Sequence, residues 1–156
     1  SCGGGVGGPA HHRPAPVAAP YGRDESLVAL CEEGAQAVFV RHARMHESLV
    51  AGLEALGLEM LAAPEHRLPQ LNTVKVPEGI DEAKVRAYLL ERWDLEIGAG
   101  LGPLKGKVWR IGLMGASASP WHVRLCLTAL AEALAAQGFA GARDAALAAA
   151  DARLAA

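Results

Sequence analysis

Apolar residues recur at helical spacing over two segments in the first half of the chain. The first segment begins at Asp24 and ends at Gly34, and its apolar stripe consists of Leu27, Leu30 and Cys31. The second stripe has a period of about 3.6 residues. It comprises Val38, Met45, Leu49, Leu53 and Leu56. Gly34 separates the two segments, and Gly57 follows the second as a helix stop signal. The pattern therefore predicts two consecutive helices.

Short apolar runs bounded by proline or glycine predict strands in the middle of the chain. Leu58–Leu61 and Asn72–Val76 have this character. We also predict a brief strand over Asp94–Ile97, a loop over Gly98–Pro103, and a longer strand over Lys107–Leu113.

Two further helices are predicted from their N-terminal caps. Asp81 precedes a helical pattern that continues to about Arg92. Ser119, with Pro120 at the first helical position, begins a helix that ends near Gly138. The element order predicts an α+β fold in which a small mixed or antiparallel sheet is covered by helices.

The two ends of the chain differ in composition from its middle. Residues 1–20 hold 5 of the 18 glycines and 4 of the 9 prolines, which predicts a disordered leader. Residues 139–156 contain 10 alanines in 18 positions and predict a frayed, loosely attached helical tail. The interpretation is a single domain over residues 21–138 between a leader and an Ala-rich tail.

Composition favours one globular domain without a membrane or nucleic-acid surface. The chain has 156 residues, 51% of them hydrophobic, and a net charge of −2. No apolar run reaches the roughly 20 residues of a bilayer span, and the basic residues form no cluster suited to phosphate. Cys2, Cys31 and Cys126 are far apart and form no metal-like pair, which predicts a reducing, intracellular compartment.

Arg110 is the most informative charged residue of the predicted strands. Alternation places core-type residues on one face and Arg110 on the other, between Val108 and Gly112. The core-type residues are Trp109, Ile111 and Leu113. A planar guanidinium with space beside it suits a carboxylate, which it binds through two parallel hydrogen bonds. The alternative, which spacing alone favours, is an arginine on the solvent face of an edge strand.

Four stretches of sequence carry a family resemblance. They are Tyr21 to Leu30 (YGRDESLVAL), Leu53 to Leu58 (LEALGL), Arg67-Leu68-Pro69 followed by Thr73 to Pro77 (TVKVP), and Asp94 to Gly115 (DLEIGAGLGPLKGKVWRIGLMG). The last is the most specific, because a Gly-rich loop containing Leu-Gly-Pro is followed by Gly-Lys-Val-x-Arg-Ile-Gly-Leu-x-Gly. Residues 21 to about 135 thereby resemble the C-terminal small domain of the alanine–glyoxylate (serine–pyruvate) aminotransferases, which are class V pyridoxal-phosphate enzymes.

The resemblance implies a role for Arg110 and a setting for the whole enzyme. The arginine at this position of the family motif binds the α-carboxylate of the amino-acid or keto-acid substrate, and the loop Gly98–Pro103 borders the same cleft. The resemblance also implies pyridoxal 5'-phosphate as cofactor, a homodimer, and a peroxisomal or mitochondrial location.

In this family the cofactor is held on a lysine of a large domain that precedes the small domain. Lys75, Lys84, Lys105 and Lys107 do not match that lysine's motif. We therefore interpret the chain as a fragment of an alanine–glyoxylate transaminase that is inactive alone. The alternative is a non-catalytic shortened isoform that binds a full-length subunit or a small carboxylate.

The remaining candidate residues favour structural roles. His42 and His46 are four residues apart on a predicted helix, a spacing that would let both imidazoles bind one metal ion. No third ligand has suitable spacing, so a solvated helix face is the favoured interpretation. Ser119 is interpreted as a helix cap rather than a nucleophile. Cys31 and Cys126 lie on apolar stripes and are interpreted as small buried hydrophobic residues.

The composition of residues 1–20 predicts early proteolytic cleavage there. A Gly/Pro-rich segment without apolar periodicity cannot offset an ordering entropy of roughly 1–2 kcal/mol per residue. Limited proteolysis with mass spectrometry should therefore cut within residues 1–20 before it cuts between Asp24 and Gly138. Protection of residues 3–14 from hydrogen exchange would contradict this prediction.

Overall fold

The computed structural model describes residues 34–113 and 115–156. The predicted leader, the first predicted helix and Cys31 lie outside the described residues. Helix α1 spans Ala35–Ala55 and confirms the second predicted helix. Its apolar stripe is buried from Met45 onward, whereas Val38 is half-buried, and the chain reverses at Gly57, where φ is 93°. That left-handed conformation favours glycine, so the stop signal acts at the predicted place.

Both predicted N-terminal caps are present. Helix α2 spans Glu82–Trp93, and the side chain of Asp81 accepts hydrogen bonds from the backbone N–H groups of Ala83 and Lys84 at 3.0 and 3.2 Å. Helix α3 spans Pro120–Ala135 and begins after Ser119, whose hydroxyl accepts from the backbone N–H of His122 at 3.4 Å. Each cap satisfies donors that have no partner within the first helical turn.

Within the described residues, three antiparallel strands form one sheet, in the order β1-β3-β2. Strand β1 spans Leu71–Lys75, β2 spans Gly98–Ala99 and β3 spans Val108–Gly112. The α+β fold with a small antiparallel sheet is therefore confirmed. Because β3 is paired on both sides, it is the central strand rather than an edge strand.

Two predicted strands are wrong. Leu58–Leu61 forms only an isolated bridge, from Met60 to Val74. Asp94–Ile97 is not a strand, because Asp94 has a φ of 50° and ends helix α2 in a left-handed conformation. Strand β2 instead lies within the segment predicted as a loop.

The core lies between one face of the sheet and the helices. Trp109 is fully buried on the predicted face, and its indole Nε1 donates to the backbone oxygen of Glu82 at 3.4 Å. Ile111 and Leu113 are buried with it, as the alternation predicts. The large side chains packed into this cluster from the helices include Leu49, Leu53, Val85, Leu89, Leu127, Leu130 and Leu134.

The Ala-rich tail forms helix α4, which spans Arg143–Ala155 and packs against the rest of the domain. The prediction of a frayed appendage is therefore wrong. Ala146 and Ala150 are fully buried, and Ser48 on α1 donates its hydroxyl hydrogen to the backbone oxygen of Ala150 at 2.9 Å. Small side chains let α1 and α4 approach closely. Close van der Waals contact therefore holds α4 in place without large apolar side chains.

Gly52 is required for this close approach. An ideal Cβ at this position would lie 2.3 Å from Leu127 Cδ1 and 3.1 Å from the backbone oxygen of Ala146. Both distances are shorter than a normal contact, and the second atom belongs to backbone that cannot rotate away.

No helix within residues 34–113 and 115–156 has the length and apolar content to cross a bilayer.

Gly52→Val should destabilise the domain by about 1–3 kcal/mol, because added methyl groups overpack the junction of α1, α3 and α4. Ala51→Val, at a half-buried position on the same helix, is the matched control and should cost less than about 1 kcal/mol, the scale of helix propensity. Urea unfolding followed by circular dichroism measures both values. Equal stability of the two variants would contradict close packing of α3 and α4 against Gly52.

Candidate functional site

Arg110 lies at the middle of the central strand, on the sheet face opposite Trp109. The register pairs Arg110 with Thr73 on β1 and with Gly98 on β2. Its side chain is half-buried, whereas Trp109 is fully buried. The predicted alternation is therefore present, but the alternative of an edge strand does not hold, since both edges of β3 are paired.

The guanidinium of Arg110 is anchored on strand β2. Its Nε donates to the backbone oxygen of Ala99 at 2.8 Å. An ideal Cβ on Gly98 would lie 3.3 Å from Nη2 and 3.4 Å from Nε, so the arginine occupies the space that a side chain at Gly98 would need. Within the described part of the chain, neither Nη atom donates to a protein group. Both Nη groups are thus free to donate to a ligand in the plane that the Nε contact sets.

The segment after β2 folds over the end of β3 next to Arg110. The backbone N–H of Gly100 donates to the oxygen of Val108 at 3.1 Å, and a short 3-10 turn follows at Gly102–Leu104. Val108, on the same sheet face as Arg110, is thereby buried. The predicted loop does border Arg110, but its first residues do so as a strand.

Arg41 links helix α1 to the turn that follows β3. Its Nη1 donates to the backbone oxygens of Gly115 and Ala118 at 2.9 and 3.0 Å. Sequence reasoning missed this residue. A single arginine on a helix belongs to no recognisable motif, so its contact with a distant turn cannot be predicted from the sequence. Arg41 fixes the turn through which the chain passes from β3 to α3.

The two histidines of α1 each make a separate hydrogen-bond contact. His42 is buried, and its Nδ1 lies 2.7 Å from the backbone oxygen of Val38. His46 is half-buried, and its Nδ1 lies 2.7 Å from Oδ1 of the buried Asn72. The favoured interpretation of a solvated helix face is therefore wrong for both residues. No cluster of potential metal ligands occurs among residues 34–113 and 115–156.

The described lysines do not fit covalent attachment of an aldehyde cofactor. Lys105 and Lys107 are exposed, Lys84 pairs with Asp81 at 3.8 Å, and Lys75 pairs with Glu59. A lysine becomes a useful nucleophile when burial or a neighbouring cation favours its neutral amine. None of these four side chains lies in such an environment within the region that the structure describes.

Cys126 is a structural cysteine. Its side chain is buried on helix α3, and burial raises the pKa of the thiol to about 12 because the thiolate would lose its hydration. The interpretation as a small buried hydrophobic residue is confirmed. Ser119 caps α3, as predicted, and its hydroxyl oxygen also lies 2.7 Å from Nδ1 of His122.

Comparison with known sequences identifies aminotransferases, although no family model matches the chain. An alanine–glyoxylate aminotransferase from Drosophila melanogaster is 44% identical over 115 residues, which make up 73% of this chain. The chain spans only 29% of the length of that relative.

Solved aminotransferase structures share the fold. A ureidoglycine–glyoxylate aminotransferase from Bacillus subtilis superposes with a TM-score of 0.83 at 34% identity, covering 87% of this chain and 35% of that structure. A pyridoxamine–pyruvate aminotransferase from Mesorhizobium loti gives a TM-score of 0.81 at 34% identity, covering 85% of this chain and 34% of that structure.

Proposed function

Because the chain belongs to the alanine–glyoxylate aminotransferase family, in which it corresponds to the C-terminal small domain, we propose that it supplies the substrate-carboxylate-binding residue of a larger transaminase. The similar aminotransferases are named for glyoxylate or pyruvate as one of their substrates. Both are small 2-oxo acids with a carboxylate beside the reacting carbonyl. Arg110 is the residue that we propose binds this carboxylate.

The observation that carries this proposal is the arrangement of the Arg110 guanidinium. Nε is used in the contact with Ala99, while both Nη groups have no partner among the described residues. Two N–H groups in one plane match the two oxygens of a carboxylate, and charge-assisted pairs of this kind are strong and directional. Arg110 would therefore orient the substrate, so that its amino group or carbonyl points at the reacting centre.

Pyridoxal 5'-phosphate is the cofactor that the family resemblance implies. When bound, it accepts the amino group from the donor and returns it to the acceptor. Since none of the four lysines of this chain fits its attachment, we assign attachment to a lysine of the large domain, outside this chain. The homodimer and the peroxisomal or mitochondrial location stay predictions.

Arg110→Lys, in the complete enzyme whose small domain is this chain, should lower kcat/KM for alanine and glyoxylate by about one to two decades. Replacing the planar guanidinium by a point charge removes one charge-assisted hydrogen bond, a loss of roughly 1.5–3 kcal/mol. Cofactor affinity, measured by absorbance titration, should stay within about twofold. Amines without a carboxylate should be used equally well by both enzymes.

Arg124→Lys is the matched control. Arg124 is exposed on α3 and pairs with Asp151 at 2.8 Å, so its replacement should leave kcat/KM unchanged. If Arg110→Lys also stays within about twofold of the parent, Arg110 is a structural residue and the proposed role is wrong.

The 156-residue chain alone should show no transaminase activity and should not retain pyridoxal phosphate after dialysis. Its described lysines are exposed or paired with carboxylates, so none favours covalent attachment. Borohydride trapping followed by peptide mapping measures any stable adduct. A stoichiometric adduct on Lys105 or Lys107 would place the cofactor site in this chain and refute the assignment.

A further inference from the structure

Strand β2 contacts the functional arginine through two features that have no role in the core. The backbone oxygen of Ala99 accepts a hydrogen bond from Arg110 Nε at 2.8 Å. The α-carbon of Gly98 carries no side chain, at the position where a Cβ would lie 3.3–3.5 Å from the nearest atoms of Arg110. The guanidinium therefore lies across β2 rather than across β1.

Strand β2 is itself fixed by a backbone contact. Gly100 is buried, and its N–H donates to the oxygen of Val108 on β3 at 3.1 Å. An ideal Cβ at Gly100 would lie 2.1 Å from the oxygen of Leu104, so only glycine lets the Gly102–Leu104 turn close against the strand. This closure holds the Ala99 carbonyl at a set distance from Arg110.

We propose that Gly98 and the Ala99 carbonyl are positioning elements that orient Arg110 before the substrate binds. This inference rests on the proposed role of Arg110 and extends it. The Nε contact fixes the plane of the guanidinium, and the missing side chain at Gly98 leaves room for that orientation. An arginine held in this way loses less conformational freedom when it binds a carboxylate.

A side chain at residue 98 would contact Arg110 first, because the atoms nearest to its Cβ all belong to Arg110. The Cβ of Gly98→Ala would meet Arg110 at 3.3–3.5 Å, a contact relieved by a shift of a few tenths of an ångström. The branched side chain of Gly98→Val would extend further over β2 and displace the guanidinium from the Ala99 carbonyl. The two variants therefore form a graded series.

The first experiment measures the position of the arginine in the 156-residue chain without reference to activity. The solvent exchange rate of the Arg110 Nε–H, followed by NMR on 15N-labelled protein, reports its hydrogen bond. We expect exchange to be about tenfold faster in Gly98→Val than in the parent, and only a few times faster in Gly98→Ala. Unfolding curves measured on the same samples identify any general loss of structure.

The second experiment measures the consequence in the complete enzyme. For alanine, kcat/KM should fall about tenfold in Gly98→Val and about threefold in Gly98→Ala, mainly through KM. An amine substrate without a carboxylate should be used at the parental rate. In the Arg110→Lys background, Gly98→Val should cost less than about twofold, because lysine has no Nε–H to lose.

Thr73→Val is the matched control for both experiments. Thr73 lies opposite Arg110 on the other neighbouring strand, and valine has nearly the same shape as threonine. Because the guanidinium lies over β2, this change should alter neither the exchange rate nor the use of alanine.

The outcomes separate this inference from the proposed function. If Arg110→Lys impairs alanine use while both Gly98 variants keep parental exchange and kinetics, the positioning role is overturned and the carboxylate role stands. If the exchange of the Arg110 Nε–H responds to Gly98 as expected but Arg110→Lys is fully active, the carboxylate role is overturned, and with it the functional meaning of the positioning.

Discussion

The pairing of β3 with a strand on each side is the constraint on which the rest of this domain depends. Strict alternation sends Trp109 into the core and Arg110 to the opposite face, so one strand carries both the centre of packing and the candidate binding residue. A shift of one residue in register would exchange the two faces. The stability of the core thereby enforces the orientation of the site.

The elements that were predicted correctly are those determined by nearby residues. The caps at Asp81 and Ser119, the stop at Gly57 and the alternation in β3 all act within a few positions along the chain. Strand β2 was missed because Gly98 and Ala99 have no intrinsic strand preference and become a strand only by pairing with β3.

For the site, sequence reasoning could identify Arg110 but not its surroundings. Alternation placed it on the open face, and the family resemblance supplied its proposed role. Two backbone features fix Arg110: the Ala99 carbonyl and the space at Gly98. Every residue has a carbonyl and every glycine lacks a side chain, so the sequence alone does not distinguish these two positions. The contact of Arg41 with the turn after β3 likewise joins segments more than 70 residues apart.

The docking of helix α4 through alanines has a thermodynamic consequence. Ala146 and Ala150 lose almost no side-chain entropy on burial, so close contact is gained without the ordering cost that leucines would add. The same small side chains remove little apolar surface from water, and the heat capacity of unfolding depends on that surface. The attachment of α4 therefore contributes little to the curvature of the domain's stability with temperature, which is set mainly by the large side chains around Trp109.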